Sequence, residues 1–199
     1  QKVIEEAPSP FISAATRKAM GEQAVALAKA VNYQSAGTVE FVVGADQSFY
    51  FLEMNTRIQV EHPVTEMVSG VDIVKEQIRI AGGMPIGVTQ SMVTFSGHAI
   101  ECRLTAETPE RDFAPSPGKV TEWVLPQGPG IRIDTHCHEG YVISPYYDSL
   151  LAKVITVGKD RREAIDRMNY ALKHLSVKGV DTVIPVLLFV LTREEYNKG

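Results

Sequence analysis

Between Leu52 and His62 the chain reads Glu53-Met54-Asn55-Thr56-Arg57-Ile58-Gln59-Val60-Glu61, with a polar or charged side chain at every second position. On an extended backbone Glu53, Asn55, Arg57, Gln59 and Glu61 share one face, while Leu52, Met54, Ile58 and Val60 fall on the other. An amphipathic edge strand would give this pattern. Composition argues for more, because Asn and Glu are depleted in strands and solvent faces more often carry Thr or Lys. Two carboxylates, two amides and a guanidinium in one row suit an ion or a charged small substrate. His62-Pro63 then ends the run.

The element that must position this row is a hairpin. Gly37 to Val43 and Ser48 to Glu53 read as strands joined by the turn-forming cluster Gly44-Ala45-Asp46-Gln47. A loop of two or four residues puts Glu40 opposite Glu53 or one diagonal step away, on the same face; an odd loop separates them. Facing carboxylates repel unless a cation lies between them. Glu40 and Glu53, with Asn55 adding an oxygen, are therefore candidate ligands for a hard divalent cation such as Mg²⁺. The alternative is a pair of solvated glutamates.

Elsewhere the pattern describes scaffold. Gln1 to Ala7 reads as a strand ending at Pro8-Ser9-Pro10, with Lys2 near its start. Ser13 to Val31 reads as a helix capped by Ser13, Val64 to Val68 as a short turn or helix ending at Gly70, and Asp72 to Ile80 as another. Residues 1–84 form a first segment and 85–96 a linker of little periodicity. Residues 97–199 form a second segment, in which several short strands suggest an antiparallel unit. His98 to Thr105 places Glu101 and Arg103 on one face and His98, Ile100, Cys102 and Leu104 on the other. Lys119 to Leu125, Ile131 to Thr135 and Leu150 to Val157 are further strands. Lys159 to Leu175 is a helix whose basic residues read as a solvated face, and Val183 to Tyr196 is a final, largely apolar helix. His136-Cys137-His138 invites a metal reading, but alternation turns Cys137 away from both histidines, so strand and turn is the reading taken.

At 199 residues, 44% hydrophobic and 22% charged, the chain has the composition of a folded protein with one large core or two smaller ones. A formal charge of −4 gives no reason to expect nucleic acid. No apolar run approaches the ~18 residues of a membrane span. Cys102 and Cys137 are too few for a disulfide framework, which points to a reducing, cytoplasmic setting, with an organellar matrix or stroma as the alternative. The start at Gln1 suggests a piece of a longer protein.

Over nearly its whole length the sequence resembles the biotin carboxylases, the ATP-grasp component of acetyl-CoA carboxylase and its relatives in fatty acid biosynthesis and elsewhere. The resemblance rests on Glu53 through Glu66 (Glu-Met-Asn-Thr-Arg-Ile-Gln-Val-Glu-His-Pro-Val-Thr-Glu), on Gln1-Lys2 with Glu5-Glu6-Ala7-Pro8, and on Ala36 to Glu40. It extends through Gly97 to Arg103, Pro115 to Gly118 and Tyr146 to Ser149. It implies an α+β fold: the C-terminal lobe of an ATP-grasp domain, then the family's C-terminal domain of antiparallel strands with packed helices. It implies ATP- and bicarbonate-dependent carboxylation of carrier-bound biotin through carboxyphosphate. In the resemblance Glu40 and Glu53 bind Mg²⁺ or Mn²⁺ and the ATP phosphates, Asn55 adds a metal ligand, and Glu61 is the general base. Arg57, Gln59 and the backbone of Val60 hold bicarbonate, and Arg103 stabilises the biotin enolate. Lys2 lies near the ATP phosphates, and Val42 lines the adenine pocket. A biotin carboxyl carrier protein and a carboxyltransferase component are the implied partners, and a homodimer the implied state of the full-length protein. The family's N-terminal α/β domain and glycine-rich lid would lie upstream of Gln1, so the chain alone is expected to be nearly inactive. Val183 stands where the family often has Asn. Two other readings are another ATP-grasp carboxylate ligase, which needs no Arg57-x-Gln59-x-Glu61 with Arg103, and a non-catalytic dimerisation or carrier-docking module.

Overall fold

The structure, a computed structural model, describes residues 2–199; the expected contribution of Gln1 lies outside the described residues. In chain order the elements are β1 (Ile4–Ala7), α1 (Ala14–Ala30), β2 (Thr38–Val43), β3 (Phe49–Asn55), α2 (His62–Ser69), α3 (Ile73–Ala81), β4 (His98–Thr105), β5 (Glu107–Thr108) and β6 (Ala114–Pro115). They continue with β7 (Gly118–Lys119), β8 (Glu122–Val124), β9 (Ile131–Thr135), β10 (Val142–Ile143), β11 (Leu150–Gly158), α4 (Arg161–His174), β12 (Ser176–Lys178), α5 (Ile184–Thr192) and α6 (Glu194–Lys198). Strand pairings among the described residues are antiparallel, so the fold is α+β.

Residues 9–94 form one compact unit. Its helices start where capping chemistry dictates: the Ser13 side chain accepts from the Thr16 N–H, and Asp72 from the Lys75 N–H. Pro63 occupies the first turn of α2, where its missing N–H costs nothing, and Gly70 closes that helix in the left-handed conformation. The β2–β3 hairpin gathers a partly exposed aromatic cluster, with Phe41 edge-on to Phe49 at 5.5 Å and to Phe51 at 6.5 Å between ring centroids. Its other face leaves Val42, Tyr50 and Leu52 more than half exposed.

Residues 2–8 and 95–199 form the other unit. The sequence division had put the first of these stretches with the segment ending at residue 84. Instead β1 pairs with β4, Glu5 opposite Glu101 and Ala7 opposite Ala99, in a sheet of order β1-β4-β11-β9. One face of this sheet carries Ile100, Cys102, Leu104, Ala152 and Val154, packed against the Ala164, Ile165, Met168, Ala171 and Leu172 stripe of α4. All are nearly or fully buried, and this is the larger of the cores. Burial of a leucine-sized side chain here is worth about 1.5–3 kcal/mol.

Three expectations change. The strand read from Lys119 to Leu125 is two short ones, β7 pairing with β10 and β8 with β12, because the chain switches partners between Lys119 and Glu122. The helix read from Val183 to Tyr196 breaks at Arg193, which adopts an extended conformation between α5 and α6. The basic residues of α4 are not all solvated. Arg161 forks onto Glu6 of β1, Nε to Oε2 at 2.7 Å and Nη2 to Oε1 at 3.0 Å. His98 Nε2 lies 2.6 Å from the same Oε2, and the three side chains are each more than four-fifths buried. A guanidinium fork on a shielded carboxylate is much stronger than a surface pair. Arg161→Ala should therefore lower stability by about 2–3 kcal/mol, whereas Arg162→Ala, whose partner Asp166 is largely exposed, should stay within about 0.5 kcal/mol of the parent. Urea titrations of the two variants check this contrast.

Candidate active site

The hairpin brings Glu40 opposite Glu53 by a route that loop counting does not foresee. Val43 pairs with Phe49, so an odd stretch, residues 44–48, joins the strands. Gly44 N–H donates to the Ser48 carbonyl at 2.8 Å, and Gln47 sits at a φ of 67°, as in a three-residue hairpin turn. That parity alone would set Glu40 opposite Leu52. A bulge at Leu52 corrects it: Phe41 pairs with Phe51, but Glu40 pairs with Glu53 and Thr38 with Asn55. The extra residue restores the carboxylates to one face.

Glu40 Oε1 accepts two amides, Asn55 Nδ2 at 2.9 Å and Gln59 Nε2 at 2.6 Å. Asn55 Nδ2 also reaches Glu53 Oε1 at 3.4 Å, bridging the two acids. Arg57 Nη2 donates to Asn55 Oδ1 at 3.2 Å and Nη1 to the Ile58 carbonyl at 3.2 Å. Gln59 is buried, Glu40 is half-buried, and Glu53 and Arg57 are exposed. Facing carboxylates are thus held together by amide donors as well as by any cation they take. The donor set, two carboxylates and a nearby amide, is all hard oxygen and fits Mg²⁺. Asn55 presents its nitrogen to the acids here, so it would ligate through Oδ1 only after its amide turns. Val42 lies two residues beyond Glu40 on the same strand face, opposite Tyr50. An apolar, open surface therefore continues directly from the acids.

The single extended row of the sequence reading ends early. β3 stops at Asn55, and residues 56–61 bend into a turn in which His62 N–H meets the Gln59 carbonyl at 3.3 Å and His62 Nδ1 lies 2.7 Å from it. The cause is the helix that follows: α2 begins at His62, Glu61 occupies its cap position, and the backbone must leave the extended state to enter it. Arg57, Gln59, Val60 and Glu61 are consequently presented by a loop. Glu40, Glu53, Asn55, Arg57 and Gln59 form one bonded group.

Arg103 and Lys2 belong to the unit of residues 2–8 and 95–199. Lys2 is exposed and precedes β1. Arg103 Nη2 lies 2.6 Å from Glu5 Oε1, and both side chains are more than four-fifths buried. The sheet face opposite the apolar core thereby carries Glu5, Glu101, Arg103, Lys153 and Asp134. Burial works against the Asp134 carboxylate, but the hydrogen bonds and charges of Arg132 and Lys153 hold it below the usual range. Beside Arg103, burial pushes the Cys102 thiol up, reinforced by the charges of Glu5 and Glu101, so the thiol stays neutral. Cys102 and Cys137 are free and buried. His136 and His138 each set their rings edge-on to Tyr141, and among the described residues no three His, Cys, Asp or Glu side chains are placed to hold a metal.

The Biotin carboxylase C-terminal domain family model matches residues 101–199, and the Carbamoyl-phosphate synthase L chain, ATP binding domain model matches residues 1–89. Biotin carboxylase 1 of Bacillus subtilis is 52% identical over 200 residues, covering 100% of this chain. The chain belongs to the biotin carboxylase family. It spans 44% of that Bacillus protein. The mitochondrial propionyl-CoA carboxylase alpha chain of Homo sapiens is 51% identical over 201 residues, with 28% of its length covered. The biotin carboxylase domain dimer of Hydrogenobacter thermophilus 2-oxoglutarate carboxylase, solved with MgADP, ADP and bicarbonate, superimposes with a TM-score of 0.97 at 46% identity. That match covers all of this chain and 44% of the other. The α+β fold is thus the C-terminal lobe of a biotin carboxylase ATP-grasp domain with the family's C-terminal domain. Among the described residues no helix is long and apolar enough to span a bilayer.

Sequence reasoning missed two partners of these residues. Gln59 was assigned to an anion, yet its amide closes on Glu40; Glu5 was given no role, yet it holds Arg103. The signal for the second was present, since adjacent Glu5 and Glu6 in a strand must face opposite ways. Because Asn55 and Gln59 donate to the same oxygen, removing both should cost more than the sum of the single losses. A thermal-unfolding double-mutant cycle of Asn55→Ala and Gln59→Ala should show coupling of about 0.5 kcal/mol or more.

Proposed function

We propose that this chain is the C-terminal part of a biotin carboxylase that carboxylates carrier-bound biotin with bicarbonate and ATP. The observation that carries the reading is the Glu40–Glu53 pair, bridged by Asn55 and bonded to Gln59, on a chain that matches biotin carboxylases over its whole length. Glu40 and Glu53 would hold Mg²⁺, the metal present with ADP in the Hydrogenobacter domain, and the ion would supply positive charge that offsets the ATP phosphates. Val42, on the same strand face, takes the adenine side of the nucleotide, and Lys2 a phosphate.

Glu61 removes the proton of bicarbonate so that its oxygen attacks the γ-phosphorus, with ADP leaving and carboxyphosphate formed. Arg57 presents a guanidinium fork suited to a planar, two-oxygen anion, with Gln59 and the Val60 backbone completing the cradle. Carboxyphosphate then releases CO₂, and the phosphate left behind takes the ureido proton of biotin. Arg103 stabilises the resulting enolate, an oxyanion task for a preorganised cation. The carrier protein delivers biotin, a carboxyltransferase component consumes carboxybiotin, and the full-length protein is a homodimer in the cytoplasm or an organellar matrix. The relatives include proteins named for propionyl-CoA, pyruvate, 2-oxoglutarate and urea carboxylases, and the acceptor is set outside this chain.

In the full-length protein, Glu61→Gln should lower bicarbonate-dependent ATP cleavage at least about 100-fold while nucleotide affinity changes little. Loss of nucleotide binding instead would make Glu61 a structural or metal residue. The chain of 199 residues alone should show almost no biotin-dependent ATP hydrolysis in a phosphate-release assay, and brisk turnover would refute the division of the site assumed here.

A further inference from the structure

We infer that Glu5 is the positioning residue for the Arg103 guanidinium, an inference that rests on the enolate-stabilising role proposed for Arg103. The pleat of β1 sends its two consecutive acids to opposite faces of the sheet. Glu6 points to the α4 side, where Arg161 forks onto it and His98 lies 2.6 Å away. Glu5 points to the charged face and meets Arg103 Nη2 at 2.6 Å. The first contact fixes the strand; the second uses that fixed strand to hold the guanidinium.

The neighbours of Arg103 make this hold directional. Lys153 of β11 is its direct cross-strand partner, so two cations stand side by side on one face. Like charges so placed repel. Each has a carboxylate of its own: Lys153 Nζ lies 3.5 Å from Asp134 Oδ2, on the far side from Arg103, while Glu5 draws Arg103 toward β1. Arg103 is thus pushed from one side and held from the other. At 19% and 11% side-chain exposure the Arg103–Glu5 pair is well shielded, so its geometry is not averaged away by water as a surface pair's would be. A long arginine side chain has rotamer entropy to lose, and a cation meant to meet a developing oxyanion works best when that loss has already been taken.

The test uses the full-length enzyme with Glu5→Gln, Glu5→Asp and Arg103→Met, reading biotin carboxylation and, separately, bicarbonate-dependent ATP cleavage without biotin. Glu5→Gln should lower kcat for biotin carboxylation about tenfold or more. The KM for ATP and the biotin-independent cleavage should change less than about twofold, and Glu5→Asp should recover part of the loss. Equal loss of both activities, or carboxylation by Glu5→Gln at the parent rate while Arg103→Met is impaired, overturns the positioning role and leaves the reading of Arg103 standing. Undiminished carboxylation by Arg103→Met overturns that reading itself.

Discussion

The sheet of the larger unit depends on holding β1 in place. This short strand is separated in sequence from its neighbour β4 by the whole of residues 9–94, so its docking closes a long loop. The entropic cost of such closure rises only logarithmically with length, but four residues of backbone pairing are little to set against it. Glu6 supplies the rest through Arg161 and His98, while Ile4 adds apolar contact to the core. Because the chain leaves this sheet at the end of β1 and re-enters it beside that point at β4, Ala7 opposite Ala99, the same contacts tie down both ends of the intervening segment.

Acidic pairs recur in this protein, and each is stabilised differently. Glu40 and Glu53 face one another on a half-open hairpin, where amides of Asn55 and Gln59 supply donors without cancelling the negative charge. The pair thereby keeps its negative charge. Glu5 and Glu101 face one another on a sheet shielded from water, where uncompensated charge would be costly, and there full cations accompany them: Arg103 contacts Glu5, with Lys153 alongside. Neutral donors in the exposed pair and guanidinium in the buried one follow from the same desolvation cost at different depths.

The two units also divide the work of packing. Most of the buried apolar side chains lie in the unit of residues 2–8 and 95–199, between one face of its sheet and α4. The unit of residues 9–94 buries Val64 and Val68 but leaves Val42, Tyr50, Leu52, Val74 and Ile78 substantially exposed. Its bonded polar group is organised on a hairpin and a loop, with hydrogen bonds rather than a deep core setting the side chains in place.

Much of this was legible in the sequence because it is local. Ser13, Asp72 and Gly70 announced helix ends through backbone groups within four residues of themselves, and the alternation of His98 to Leu104 gave the two faces of β4 outright. The motif from Glu53 to Glu66, with the shorter stretches that accompany it, sufficed to name the family. What sequence could not decide was register and partnership. Loop parity predicted the wrong hairpin, and only the bulge at Leu52, which depends on how the two strands twist against each other, brought Glu40 back opposite Glu53. Likewise nothing local tells Glu5 that its partner lies at Arg103, or Glu6 that its partner lies at Arg161. The pleat fixes which way each acid points, but the charge it meets there is chosen by tertiary pairing across the length of the chain.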